Sequence, residues 1–146
     1  MSDTLTLVEN IALWHKNGDH SKIVRTVLAL PDDERTNELI GFMARAYNNL
    51  SQYALAEQYL LSIPEEDRGA AWHYRLSYAY FYSHREEEAR TEIQRALEIE
   101  PDDQFSLDFA AYIDRVALSK GGKQTFAYAE DGSMNTIRES RPKRRM

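Results

Sequence analysis

The stretch LSYAYFYSHREEEARTEIQRALEIEP, residues 76–101, decides the fold of this chain. Its apolar residues recur at three- and four-residue steps on both sides of a polar break at 83–86, which is the periodicity of α-helix. Ser83 and Glu86 predict a capping box at the start of the second helix, in which each side chain satisfies a backbone N–H. The stretch therefore predicts a helix, a short turn and a second helix.

The same pattern recurs along the chain at a period of about 33 residues. Pro31, Pro64 and Pro101 each open an acidic stretch, and Pro101 comes about one helical turn later than the period requires. Three sets of residues fall into register at this spacing: Trp14, Tyr47 and Tyr80; Ile23, Ala56 and Ala89; Val27, Leu60 and Ile93. Self-similarity at this period is the signature of a stacked repeat array. A left-handed backbone at Gly18 is expected to end the first helix.

Seven helices follow from this pattern, at residues 3–17, 20–30, 35–50, 53–62, 68–82, 85–99 and 103–118. Small residues at the seams, such as Ala44 and Ala89, let helices approach closely, and large ones, including Trp14 and Tyr80, fill the remaining space. We therefore expect Tyr80 to lie in the core. The paired acids after Pro31 and Pro64 are interpreted as residues that start the following helix.

The repeats resemble the tetratricopeptide repeat (TPR) family. The third unit carries the resemblance best, through Leu76, Ser77, Tyr80, Ala89, Ile93, Ala96 and Pro101. The resemblance implies an all-α superhelix over residues 1–118, with helix-turn-helix repeats at about 4–36, 37–69 and 70–103 and a capping helix at 103–118. Residues 119–146 would follow as a linker and basic tail, either disordered or forming a short hairpin around Asp131-Gly132.

Catalysis has little support in the sequence. The chain of 146 residues has no cysteine, no glycine-rich phosphate loop and no metalloprotease or serine-hydrolase motif. His84 with Glu86, Glu87 and Glu88 is the one His–carboxylate cluster, and it is interpreted as a solvated turn and helix start rather than a metal site. We expect a protein that is not an enzyme and needs no cofactor or metal.

Binding in a concave groove is what the resemblance implies, with contacts from the first helix of each repeat. The corresponding positions are His15, Lys16, Arg45, Asn48, Asn49, Tyr74, Tyr78, Phe81 and Tyr82. Aromatic, amide and cationic side chains of this kind suit a peptide with apolar side chains and some negative charge. The alternative is that the aromatic residues pack against neighbouring helices.

The chaperone-binding TPR subgroup holds a C-terminal carboxylate with Lys and Asn at set positions. Here those positions carry Val8, Ala12 and Tyr74, so we do not expect capture of Hsp70- or Hsp90-like C-termini. The expected partner is a protein or peptide of unknown identity, bound by an adaptor or co-chaperone-like module. Two alternatives are a self-assembly module that forms a homodimer and the N-terminal part of a larger protein.

Charge is distributed unevenly along the chain. The net charge of −6 combines −10 over residues 1–118 with +4 over residues 119–146. The basic end contains Arg141, Lys143, Arg144 and Arg145, which could contact nucleic acid, although a solvated tail is the favoured interpretation. No apolar run is long enough to cross a membrane and no secretory signal is evident, so we expect a cytoplasmic protein without membrane contact.

Overall fold

Seven α-helices make up most of the chain in a computed structural model that describes residues 3–119, 126–128 and 134–136. The helices are α1 (Asp3–Asn17), α2 (His20–Leu28), α3 (Asn37–Asn49), α4 (Tyr53–Leu61), α5 (Ala70–Phe81), α6 (Glu86–Ile99) and α7 (Gln104–Ser119). Two three-residue strands, β1 (Phe126–Tyr128) and β2 (Met134–Thr136), pair antiparallel. The predicted all-α class is confirmed, and each helix begins and ends within two residues of its predicted limits. Arg141, Lys143, Arg144 and Arg145 lie outside the described residues.

The chain divides into two compact units, unit 1 (Met1–Arg68) and unit 2 (Gly69–Met146). In unit 1, α3 packs against both α2 and α4, and α1 contacts α2 and α3. In unit 2, α6 packs against both α5 and α7. The central helix of each unit is thus covered on two sides by its neighbours.

The turns inside the three helix pairs share one backbone conformation. Gly18, Ser51 and His84 have φ values of 80°, 61° and 65°, and they lie at intervals of 33 residues. The expected left-handed backbone at Gly18 is confirmed. The predicted capping box is wrong, because α6 begins after Arg85, which makes no side-chain cap hydrogen bond. His84, which separates Ser83 from α6, is the left-handed residue of this turn.

Arg85 organises the turn before α6. Its guanidinium lies 4.1 Å from the ring centroid of Tyr80 and donates hydrogen bonds of 2.8 and 2.9 Å to the carboxylate of Glu88. These hydrogen bonds hold the pKa of Glu88 below its usual range. Tyr80 is half-buried, so the prediction that it lies in the core is wrong. Trp14, its equivalent in the first repeat, is also half-buried and has the Lys22 ammonium 4.8 Å from its ring.

The acidic stretches after Pro31 and Pro64 form 3-10 turns, at Asp32–Glu34 and Glu65–Asp67, rather than the first turn of a helix. Helices α3 and α5 therefore begin two residues later than predicted, and Thr36 caps α3 by accepting a hydrogen bond from the Leu39 N–H. The acids are followed by an arginine in both cases. The interpretation of the acids as helix-start residues is accordingly corrected.

The core follows the 33-residue register closely. The residues at three equivalent sets of positions are each no more than 1% exposed: Ile11, Ala44 and Ser77; Ile23, Ala56 and Ala89; Val27, Leu60 and Ile93. The Ser77 hydroxyl donates a 2.7 Å hydrogen bond to the Ala89 carbonyl, which satisfies this buried polar group. Each helix pair therefore buries the same three positions, although the first pair carries isoleucine at the two positions where the others carry a small residue.

Candidate functional site

Unit 1 places the predicted cationic and amide residues at the ends of two helices. His15 and Lys16 lie in the last turn of α1, where His15 is half-buried and Lys16 is exposed. Arg45 and Asn49 lie on α3 and are both half-buried. Helices α1 and α3 are in contact, so these four residues lie on neighbouring first helices of two repeats.

Asn48 departs from the predicted set. It is 1% exposed, so its amide is not available to hold a peptide backbone. Its position on α3 turns the side chain toward the packed side, whereas the next residue remains accessible. The expectation of an Asn48 contact is therefore replaced by a role in packing.

Arg45 is held in a defined position on α3. Its guanidinium carbon lies 5.0 Å from the ring centroid of Phe42, one turn earlier on the same helix. A cation above an aromatic face is attracted by the ring's charge distribution, which orients the planar fork of donors. Such a fork can bind a carboxylate in a bidentate way, with Lys16 supplying a second positive charge in the same unit.

Unit 2 brings the four predicted aromatic residues together around α7. The ring centroids of Tyr74, Tyr78 and Phe81 lie 5.6, 5.5 and 5.7 Å from that of Phe109. Tyr74, Tyr78 and Phe81 are between 5% and 8% exposed. These three residues therefore pack against a neighbouring helix, which is the alternative that the sequence left open. Tyr82 is half-buried and lies 4.8 Å from the Tyr78 ring, at the edge of the cluster. Of the four, Tyr82 keeps the most surface for a ligand.

One polar cluster in unit 2 was missed by the sequence reasoning. His73 on α5 lies 2.7 Å from a carboxylate oxygen of Glu92 on α6, and the second oxygen of Glu92 accepts from Arg95 at 3.2 Å. Both His73 and Glu92 are mostly buried, at 15% and 11% side-chain exposure. His73 and Glu92 are 19 residues apart on different helices, so no local sequence pattern predicts their contact. The one available signal was a charged residue, Glu92, next to the buried Ile93 on α6.

The described part of the chain contains neither a metal-binding cluster nor a helix that could span a membrane. There, no group of three or more His, Asp or Glu side chains is placed to hold a metal ion. His84 is exposed and adopts the left-handed conformation of its turn. Among the helices described, none has the length and apolarity that crossing a membrane requires.

No protein-family model matches this chain, and the comparison with curated proteins gives no match.

Proposed function

We propose that this chain is a TPR-like helical repeat protein that binds an acidic peptide segment of a partner protein on the two first helices of unit 1, α1 and α3. In this proposal it is an adaptor and has no catalytic activity of its own. The observation that supports the proposal most directly is the recurrence of one hydrogen-bonded turn in all three helix pairs.

That recurrence extends to individual backbone atoms. The N–H groups of Asp19, Gln52 and Arg85 donate to the carbonyls of Trp14, Tyr47 and Tyr80, at 2.8, 2.9 and 2.9 Å. Donors and acceptors alike are spaced by 33 residues. A unit of this length with the same turn and the same buried positions is typical of arrays that stack helix pairs. Such arrays present extended surfaces for partners, which supports a binding role over an enzymatic one.

The chemistry of the ligand follows from unit 1. Arg45 and Lys16 offer positive charge, and the half-buried Asn49 offers an amide that can pair with a peptide backbone. Carboxylates are the complementary groups for an arginine fork and a lysine ammonium. The proposed ligand is therefore an extended or helical peptide with an Asp, a Glu or a free C-terminus seated near Arg45.

The test uses the purified chain and an array of acidic 12-residue peptides in two forms, with free and amidated C-termini. Replacement of both Arg45 and Lys16 by alanine is expected to raise the dissociation constants of the bound peptides about tenfold or more. The reason is that a charge-assisted hydrogen bond contributes roughly 1.5–3 kcal/mol. The matched control is Lys22→Ala/Arg25→Ala, which removes one lysine and one arginine from the exposed side of α2. Circular dichroism checks that both variants keep their helices.

Two results would count against the proposal. One is an array on which no peptide binds above background, and the other is equal weakening by the test pair and the control pair. Loss of binding with the amidated peptides alone would identify a C-terminal carboxylate as the recognised group, whereas equal binding of both forms would point to acidic side chains.

A further inference from the structure

Helix α7 has an apolar stripe on the face that points away from its unit. Ser106, Phe109, Tyr112 and Ile113 form its buried side. On the opposite side, Leu107 and Leu118 are 41% and 85% exposed, and Ala111 between them is exposed. Together with Asp114 these residues follow steps of four, three and four, which is the spacing of a coiled-coil seam.

We propose that this stripe pairs with the same stripe of a second copy of the chain, with the two α7 helices antiparallel. In that arrangement Leu107 packs against Leu118 of the second copy, and the reverse contact forms at the other end. The small side chain of Ala111 lies opposite Asp114 of the second copy, where it leaves room for the carboxylate. A two-fold axis relates the two halves, so each contact occurs twice.

Charge complementarity selects a second copy in this orientation. Asp108 and Arg115 flank the stripe on one side and are seven residues apart, so both occupy the same edge position of a heptad. Antiparallel pairing brings equivalent edges together and sets Asp108 against Arg115 of the second copy, twice. Parallel pairing would set this edge against the edge of Ala110 and Ala117 and would form no ion pair.

The charged groups at the stripe are already oriented for this contact. Asp108 accepts a 2.8 Å hydrogen bond from the Gln104 side chain, and the Arg115 guanidinium lies 5.6 Å from the Tyr112 ring. Asp114 accepts hydrogen bonds of 3.1 and 3.3 Å from Arg90 on α6, which balances the one acid inside the stripe. The seam therefore has no isolated charge, and the single polar position fixes its register.

Sedimentation equilibrium of the full chain over a range of concentrations tests the pairing. The parent chain is expected to form a concentration-dependent dimer, and Leu107→Glu/Leu118→Glu is expected to sediment as a monomer. The control is Leu13→Glu, which places the same charge at a leucine of unit 1 that is 53% exposed, and this variant should still dimerise. Because the altered leucines are exposed, circular dichroism should show parental helicity for all three chains.

Charge reversal tests the orientation. Asp108→Arg is expected to raise the dissociation constant of the dimer about tenfold, since two ion pairs become two like-charge contacts. Adding Arg115→Asp to the same chain should restore the parental dissociation constant. A parent chain that stays monomeric, or a dimer that withstands Leu107→Glu/Leu118→Glu, would overturn the pairing. Failure of the double charge reversal to restore the dimer would overturn the antiparallel register.

Discussion

At the scale of single residues, the arginine that follows each of the first two acidic stretches binds the end of the preceding helix. The Arg68 guanidinium donates to the carbonyls of Ile63 and Leu61, at 2.8 and 3.2 Å. Arg35 makes the equivalent pair of hydrogen bonds to Leu30 and Leu28, at 3.2 and 2.8 Å. The last carbonyls of a helix have no partner within it, so each arginine closes the end of the second helix of its repeat.

Removal of the Arg68 side chain is therefore expected to destabilise unit 1. Arg68→Ala should lower the free energy of unfolding by about 1–3 kcal/mol, because hydrogen bonds from a charged donor are lost and carbonyls are left without this partner. Arg68→Lys should recover little, since an ammonium cannot reproduce the planar fork that reaches two carbonyls. Urea denaturation measures both variants, with the exposed Arg25→Ala as the control. If Arg68→Ala unfolds at the parental urea concentration, the helix-end role is refuted.

At the scale of elements, the turns inside the helix pairs decide where each chain reversal occurs. All three use one left-handed residue, yet only the first uses glycine, at Gly18. A non-glycine residue in this conformation costs roughly 1–2 kcal/mol. Ser51 and His84 therefore carry a backbone cost that the packing of their helix pairs offsets.

Exchange of residues at these turns should change stability in opposite directions. Gly18→Ala is expected to cost about 1 kcal/mol through the backbone alone, since no atom lies within 4 Å of the position of an added Cβ. His84→Gly should instead gain a few tenths to about 1 kcal/mol, because glycine adopts positive φ without the steric penalty. Thermal denaturation reads both effects. A stabilising Gly18→Ala or a strongly destabilising His84→Gly would contradict this account of the turns.

Helix positions could be predicted from the sequence because the three- and four-step pattern is local and repeats three times. The 3-10 turns could not, since proline followed by acids fits a helix start equally well, and the arginine that closes the preceding helix acts across five and seven residues. For Tyr74, Tyr78 and Phe81 the sequence left groove and packing as alternatives, because their burial depends on Phe109 from a later helix. Of the predicted site, the residues of unit 1 other than Asn48 keep accessible surface.

At the scale of the whole molecule, the chain has two compact units, whose unfolding can be followed separately. Repeat arrays gain stability from each repeat and from contacts between neighbours, so their cooperativity is limited. The chain has two tryptophans, of which Trp14 lies in unit 1 and Trp72 in unit 2. Trp14→Phe and Trp72→Phe therefore give two chains, each of which reports on one unit by fluorescence.

Overpacking one unit at a time should separate the two signals. Ala56 in unit 1 and Ala89 in unit 2 are equivalent positions, and both are 0% exposed. Leucine at either position is expected to lower the free energy of unfolding by about 1–3 kcal/mol, because the closely packed helices must move apart to accommodate the larger side chain. Ala89→Leu should lower the urea midpoint reported by Trp72 more than that reported by Trp14, and Ala56→Leu should do the reverse. Equal shifts of both probes in both variants would show instead that the chain unfolds as one cooperative block, and parental midpoints would refute the assigned register of the seam.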